Sequence, residues 1–229
     1  MHTLKYKTGQ LLNRLYSRKK RLLCYGDSNT WGYIPGSAGR YTFNQRWPGV
    51  LQNELAGRVR VFEDGLSGRT TIYDDPFEKN LNGEKHLLAA LKRCTPLDLV
   101  ILTLGTNDLK SYFNLQASDI AKGPMQLCQD ISVSKSGPSG AAPEILLVAP
   151  ATIKWLPEMT ATDFEDAMEK SEKLAESFAT AARNLGIEFM DAALYVGIQP
   201  VDGIHWDVET HHIFGHAVAE SVRTILHLE

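Results

Sequence analysis

Short apolar segments alternate along this chain with longer amphipathic ones. Five short segments are rich in β-branched or aromatic residues and have the length of buried strands: 21–27, 59–65, 97–105, 144–150 and 187–193. The third reads LDLVILTLG, and its apolar character on both faces is typical of a strand covered by helices on both sides. Apolar residues recur at helical spacing in five further segments: 45–56, 84–93, 118–134, 162–185 and 208–227.

The alternation predicts an α/β fold. Strand–helix–strand units build parallel sheets with right-handed crossovers, so we expect a doubly wound, three-layer α/β/α sandwich. The length of 229 residues is usual for one such domain. We predict a single domain over residues 21–229 and a basic extension at 1–20. The extension has no acidic residue, and we interpret it as a solvated arm, helical at 8–17, rather than a site for an acidic partner.

Composition narrows the classes of protein. The net charge of −3 gives no general attraction for nucleic acid or an anionic membrane, so we expect neither as a partner. The cysteines Cys24, Cys94 and Cys128 lack C-x-x-C spacing, which favours a reduced, cytoplasmic protein over a disulfide scaffold. No apolar run reaches the length of about 18 residues that indicates a membrane-spanning helix.

Polar clusters follow several of the predicted strands. GDS (26–28) follows the first, DGLSGRTT (64–71) the second and GTNDLKSYF (105–113) the third. VDGIHWD (201–207) stands between the fifth strand and the last helix. Ligand sites of open parallel sheets lie at the carboxyl ends of the strands. The sequence therefore predicts that these clusters meet at one edge.

These clusters contain the groups that nucleophilic catalysis needs. A serine hydroxyl requires a base, usually His, and that His requires an acid that fixes its tautomer. Asp202 and His205 are three residues apart, which lets the carboxylate meet the imidazole while its far nitrogen faces Ser28. The amides of Ser28 and Gly68 and the side chain of Asn107 are candidate oxyanion donors. Taken singly, each signal has an alternative: Ser28 could be a helix N-cap, and Asp-x-x-His a capped turn.

In combination, the clusters resemble the SGNH (GDSL-like) hydrolase family. YGDSNTWG is similar to the first family block, GLSGRTT to the second, GTND to the third and DGIH to the fifth. The blocks occur in family order over residues 22–207 and assign the triad and oxyanion roles to the residues named above. The resemblance implies the SGNH hydrolase fold with a flavodoxin-like, five-stranded parallel sheet. The residues of these blocks are most similar to those of the arylesterase and acyltransferase branch.

The resemblance also implies an activity. It implies a serine esterase that hydrolyses short-chain, acetyl-type carboxylic esters, including aryl esters, through an acyl-enzyme, with no metal or organic cofactor. The partner would be a small-molecule ester, and the protein would form a homo-oligomer. Acyl transfer to an alcohol or to hydrogen peroxide (perhydrolase activity) and deacetylation of acetylated sugars are alternatives that use the same triad. A non-catalytic binding module is the remote alternative.

Apolar and aromatic residues near the polar clusters are candidates for a substrate pocket. Trp155 could equally pack against another subunit. Asn29 departs from the family, which usually has Leu or Ile after the serine, so its amide could alter the acyl pocket. The predicted pocket residues are Asn29, Tyr33, Trp155, Ile204 and Trp206.

Other polar residues have structural interpretations. His212 and His216 have a zinc-like spacing but no evident third ligand, so we predict no metal site. We expect His211 to face solvent and Arg69 to form a surface ion pair. The acidic residues beside Ser28 and Asn107 are expected to brace their loops.

Overall fold

The computed structural model describes residues 18–37 and 39–228. The helix predicted at 8–17 lies outside the described residues, and so does the basic extension predicted at 1–20, apart from Arg18, Lys19 and Lys20.

Five parallel strands form one sheet in the order β2–β1–β3–β4–β5. The register is continuous, with Leu22 of β1 opposite Val61 of β2 on one side and Leu99 of β3 on the other. This arrangement confirms the predicted α/β/α sandwich with its five-stranded parallel sheet. The strands are β1 Lys20–Gly26, β2 Val59–Gly65, β3 Leu99–Thr103, β4 Glu144–Ala149 and β5 Glu188–Asp191.

Helices cover both faces of the sheet, and two of the predicted helices are interrupted. The segment predicted at 118–134 divides after Ile120 because Pro124 has no N–H to donate to that carbonyl. The segment predicted at 162–185 begins only at 167 and divides at Lys173. The α-helices are α1 Ser28–Trp31, α2 Trp47–Glu54, α3 Gly83–Cys94, α4 Ala117–Ile120, α5 Lys122–Val133, α6 Glu158–Ala161, α7 Ala167–Glu172, α8 Leu174–Leu185 and α9 Val208–Ile225.

The strands alternate between two apolar cores, one on each face of the sheet. In β1, Leu23 and Tyr25 face the core formed with α3, α5 and α8, whereas Leu22 and Cys24 face the core formed with α2 and α9. Successive strand residues point to opposite faces, so a strand buried on both faces must be apolar throughout. This layering explains LDLVILTLG and leaves the polar loops at the carboxyl edge. No helix in the described ranges combines the length and apolar character that crossing a membrane requires.

Candidate active site

Ser28 lies directly after β1, on the first turn of the short helix α1. Asp27 caps this helix, and its Oδ1 accepts a hydrogen bond from the main-chain N of Asn29 at 3.0 Å. The hydroxyls of Thr30 and Thr103 are 2.6 Å apart and join α1 to the end of β3. The serine is therefore held on a turn that is fixed at both ends.

Asp202 and His205 form a hydrogen-bonded pair in the loop before α9. Asp202 Oδ1 accepts from the main-chain N of Ile204 at 3.0 Å and of His205 at 2.8 Å. Its Oδ2 lies 2.8 Å from His205 Nδ1, and His205 Nε2 lies 2.9 Å from Ser28 Oγ. With Nδ1–H donating to the carboxylate, Nε2 is left to accept from the Ser28 hydroxyl. The structure thus brings together the three residues predicted as a triad.

Two carboxyl groups near Ser28 have shifted pKa values in opposite directions. Burial tends to raise the pKa of Asp202, but the hydrogen bonds from the side chain and main chain of His205 outweigh it and lower the pKa. Burial raises the pKa of Asp27 to about 6, although the hydrogen bond from Asn29 and the charge of His205 oppose the rise. Asp202 is therefore the carboxylate that stays ionised beside the imidazole.

The predicted oxyanion donors lie at the ends of β1, β2 and β3. Gly68 has a φ of +80°, in the left-handed region that favours glycine, and an added Cβ would lie 2.9 Å from Leu81. Within residues 18–37 and 39–228, the main-chain N–H groups of Ser28 and Gly68 have no hydrogen-bond acceptor. Asn107 Nδ2 donates one hydrogen to the Arg69 carbonyl at 3.0 Å, which leaves its second hydrogen for another acceptor.

Arg69 braces this region from inside the fold. Its Nη1 donates to the Gly26 carbonyl at 2.9 Å, and its Nη2 donates to Asp64 Oδ1 at 2.8 Å. The guanidinium lies 4.2 Å from the centroid of the Tyr25 ring. The predicted ion pair is present, but its predicted place at the surface is wrong, because Arg69 is only 4 % exposed.

Asp108 is a second brace, and its partner Thr71 did not stand out in the sequence. Both carboxylate oxygens accept from the main-chain N of Thr71 at 3.1 Å, and Oδ1 also accepts from the Thr71 hydroxyl. Burial raises the pKa of Asp108 to about 6, and the bonds from Thr71 limit the rise. The two threonines after Arg69 in GLSGRTT were the sequence signal that could have predicted a polar partner for Asp108.

The predicted pocket residues occupy different environments. The ring of Tyr33 packs against His205 with centroids 4.3 Å apart, and Trp155 is 40 % exposed. Ile204, Trp206 and Asn29 are buried. Together with Asp27 and Gly203, these three line a partly enclosed cavity of about 30 Å³, which has room for about two water molecules. Contact of Asn29, Ile204 and Trp206 with an ester substrate stays a prediction.

His211 is buried, so the prediction that it faces solvent is wrong. Its Nδ1 accepts from the main-chain N of Trp47 at 3.4 Å, and its ring packs edge-on against Trp206. Burial lowers the pKa of His211 to about 3. The signal was present in the sequence, because His211 precedes Phe214 by three positions and Val218 by seven on the apolar stripe of α9.

The other two histidines of α9 have separate partners. His216 Nδ1 lies 3.3 Å from a Glu54 carboxylate oxygen, and His212 Nε2 lies 3.2 Å from the Asn44 carbonyl. Over the part of the chain that the structure describes, no group of three or more His, Cys, Asp or Glu residues is arranged to hold a metal ion.

With this geometry in place, comparisons with known proteins define the class. The model of the GDSL-like lipase/acylhydrolase family matches residues 24–213, and the chain belongs to that family. The family and the solved relatives confirm the predicted SGNH (GDSL-like) resemblance and the predicted class of enzyme, a carboxylic ester hydrolase. No curated protein matches the chain.

Several solved structures are similar to the whole described fold. A carbohydrate acetylesterase from Sinorhizobium meliloti is 38% identical, with 90% of this chain and 100% of that chain covered and a TM-score of 0.87. The aryl esterase of M. smegmatis is 38% identical, with 90% and 99% covered and a TM-score of 0.86. A putative arylesterase from Agrobacterium tumefaciens is 38% identical, with the same coverage and a TM-score of 0.82.

Proposed function

We propose that this protein is a serine esterase that hydrolyses short-chain, acetyl-type carboxylic esters, including aryl esters, and that Ser28, His205 and Asp202 are its catalytic triad. The observation that carries the assignment is the continuous chain from Ser28 Oγ through His205, at 2.9 Å, to Asp202, at 2.8 Å. The names of the aryl esterase and acetylesterase relatives support the choice of acyl and alcohol groups.

In the acylation step, Ser28 Oγ attacks the ester carbonyl carbon while His205 Nε2 takes the hydroxyl proton. A C–O bond to serine forms, and the carbonyl oxygen gains the negative charge. Collapse of this tetrahedral intermediate breaks the bond to the leaving alcohol, which receives the proton from His205. Asp202 stays ionised and stabilises the imidazolium that forms in between.

In the deacylation step, water takes the place of the alcohol. His205 removes a proton from water as the water attacks the acyl-enzyme, and then returns the proton to Ser28 as the acid leaves. Both steps pass through an oxyanion, for which we propose the Ser28 and Gly68 amides and the Asn107 side chain as donors. Fixed donors at this position stabilise the charge without reorganising during the reaction.

A labelling experiment tests the nucleophile directly. The protein is treated with a serine-directed phosphonate, the adduct is mapped by mass spectrometry, and hydrolysis of p-nitrophenyl acetate is followed in parallel. We expect one adduct, on Ser28, with hydrolysis lost in proportion. Ser37 is an exposed serine in a loop, and the control variant Ser37→Ala should label normally. No adduct and no hydrolysis would leave the fold without the proposed chemistry, as in the binding-module alternative.

A second substrate class has a specific observation in its favour. A carbohydrate acetylesterase is among the similar structures, so we propose acetylated sugars as alternative esters for the same triad. Release of acetate from a peracetylated monosaccharide, compared with p-nitrophenyl acetate at equal concentration, ranks the two. Adding a primary alcohol or hydrogen peroxide and analysing the products tests the transfer and perhydrolysis alternatives. Free acid as the sole product would exclude both.

Self-association and location are further proposals. Exposed apolar residues in the segments that follow β4 and β5, including Trp155, Met159 and Ile198, support a homo-oligomer that covers them. Light scattering after gel filtration tests this, and a monomer at micromolar concentration would reject it. The three described cysteines are free and buried, which supports a cytoplasmic location.

A further inference from the structure

The side chain of Asn29 is held at both ends by main-chain groups of the loop that carries His205. Its Nδ2 donates to the Ile204 carbonyl at 3.3 Å, and its Oδ1 accepts from the Trp206 N–H at 3.1 Å. The two partners stand on either side of His205 in the chain. The orientation of the carboxamide follows from these partners, because a carbonyl can only accept and an N–H can only donate.

The environment of Asn29 makes these bonds important. The residue is 7 % exposed, and a buried carboxamide that loses its partners leaves unsatisfied polar groups that destabilise the fold. Its main-chain N also donates to Asp27 Oδ1. Ser28 therefore lies between Asp27 and Asn29, which are hydrogen-bonded to each other, and Asn29 is also hydrogen-bonded to the His205 loop.

Two side chains together fix the main chain around His205. Asp202 accepts from the N–H groups of Ile204 and His205, and it belongs to the same loop. Asn29, on helix α1, binds the Ile204 carbonyl and the Trp206 N–H. Asn29 thus connects the Ser28 turn to the His205 loop, 177 positions away in the chain, independently of the hydrogen bond between Ser28 and His205.

We infer that Asn29 is a positioning residue, which sets the approach of His205 Nε2 to Ser28 Oγ by clamping the His205 loop to helix α1. The inference rests on the proposed function, in which His205 takes the Ser28 proton. Asn29 acts through the main chain of the loop and does not contact the reacting atoms.

The variant Asn29→Leu tests the clamp. Leu has a similar size and fills the same space, but it removes both hydrogen bonds. We expect kcat for p-nitrophenyl acetate to fall about 10-fold, because misplacing a catalytic group by about 1 Å can cost on the order of 100-fold. KM should stay within about twofold, since the pocket itself is unchanged. A raised KM at unchanged kcat would show a pocket residue and overturn the inference.

Gln52 provides a matched control. Its Nε2 donates to the Val59 carbonyl at 3.2 Å, and its Oε1 accepts from the Val61 N–H at 2.9 Å. This carboxamide makes the same pair of bonds at the amino end of β2, at the opposite edge of the sheet from Ser28. Gln52→Leu should change stability but leave kcat within about twofold. Equal kcat values for Gln52→Leu and Asn29→Leu would overturn the inference.

Two further measurements keep the inference decidable. The low-field NMR resonance of the His205 Nδ1 proton reports the imidazole position without turnover. It should be sharp in the wild type, broadened in Asn29→Leu and unchanged in Gln52→Leu, and identical spectra would overturn the clamp even if the proposed activity failed. Should Asn29→Leu not fold, Asn29→Asp keeps the acceptor for Trp206 and loses the donor for Ile204. It should lower kcat at unchanged KM, and an unchanged kcat would reject the clamp.

Discussion

The loops at the carboxyl edge of the sheet form two groups with different chemistry. The β1–β3 loops (27–32, 66–72 and 104–113) carry buried polar side chains that bond to one another. The β4–β5 loops (150–157 and 194–207) expose several apolar side chains to solvent, among them Trp155, Ile198 and Val201, next to buried ones such as Ile204 and Trp206. Arg69 and Asp108 are almost fully buried, whereas Ile198 in the last of these loops is 62 % exposed.

The difference separates two tasks of the site. An oxyanion needs donors that do not move when charge develops, and a network of buried hydrogen bonds provides such rigidity. Acyl and alcohol groups need apolar surface, which the β4–β5 loops expose. His205 is the exception, because it belongs to the β4–β5 loops but must reach Ser28 in the β1–β3 loops. Asp202 and Asn29 hold it in place.

The largest effect should come from the residue at which the two groups meet. Ser28→Ala removes the nucleophile, and we expect kcat for p-nitrophenyl acetate to fall by ~10⁶-fold. The bonds of the β1–β3 loops do not use the Ser28 hydroxyl, so the melting temperature should stay close to that of the wild type. Residual activity above about one hundredth of the wild-type value, with no labelling of another serine, would contradict the assignment of Ser28.

The next largest effect on kcat should come from a residue of the β1–β3 loops. Asn107→Ala removes one proposed oxyanion donor, and we expect kcat to fall on the order of 100-fold or more with little change in KM. Asn53→Ala removes an exposed carboxamide whose bond is to Asn44, and it should leave kcat unchanged. If Asn107→Ala kept its turnover while remaining folded, Asn107 would be a brace for Arg69 and not a donor.

The two groups also differ in how far the sequence predicts them. The strand ends and their polar residues follow from local pattern, because parallel strands place their carboxyl ends at one edge whatever the side chains do. The positions of Ser28, Gly68 and Asn107 could therefore be predicted. For Arg69, the ion pair was predicted but the burial was not. Its burial depends on how the Gly26 and Asp64 carbonyls and the Tyr25 ring surround it.

The environments of several other side chains depend on tertiary contacts and were predicted less well. Trp206 and Ile204 look like pocket residues in sequence, and the structure adds that both pack into the apolar cores. Asn29 reads as a change in the acyl pocket because its partners are 175 and 177 positions away. Only His211 carried an overlooked local signal, its place on the apolar stripe of α9.

A third prediction compares buried titratable groups: His211 on α9, and Asp27 and Asp108 in the β1–β3 loops. His211 has a pKa of about 3 in the folded state against 6.5 as its ordinary value, so the unfolded chain binds more protons between these values. Its contribution to stability is complete above pH 6.5 and is lost as the pH falls towards 3. Between pH 7.5 and 5, the free energy of unfolding should fall by about 2 kcal/mol more in the wild type than in His211→Asn.

Urea unfolding of both proteins at several pH values measures this difference. Asp27 and Asp108 act in the opposite direction, because their pKa values of about 6 lie above the ordinary value of 3.8 and favour folding towards lower pH. Both carboxyl groups are present in the two proteins, so the difference isolates His211. Parallel pH dependences would mean that His211 takes up its proton without unfolding. His211 would then not oppose Asp27 and Asp108 in the pH dependence of stability.

The smallest effect should arise at an exposed aromatic residue of the β4 loop. Trp155→Ala removes an aromatic surface beside the site without opening the core, so we expect KM for p-nitrophenyl acetate to rise about threefold at unchanged kcat, as for lost uniform binding. Phe43→Ala is the matched control, since Phe43 is 39 % exposed against 40 % for Trp155. It should leave both constants unchanged. An unchanged KM in Trp155→Ala together with a smaller oligomer would assign the side chain to a subunit contact, and the exposed loops would then serve assembly more than substrate binding.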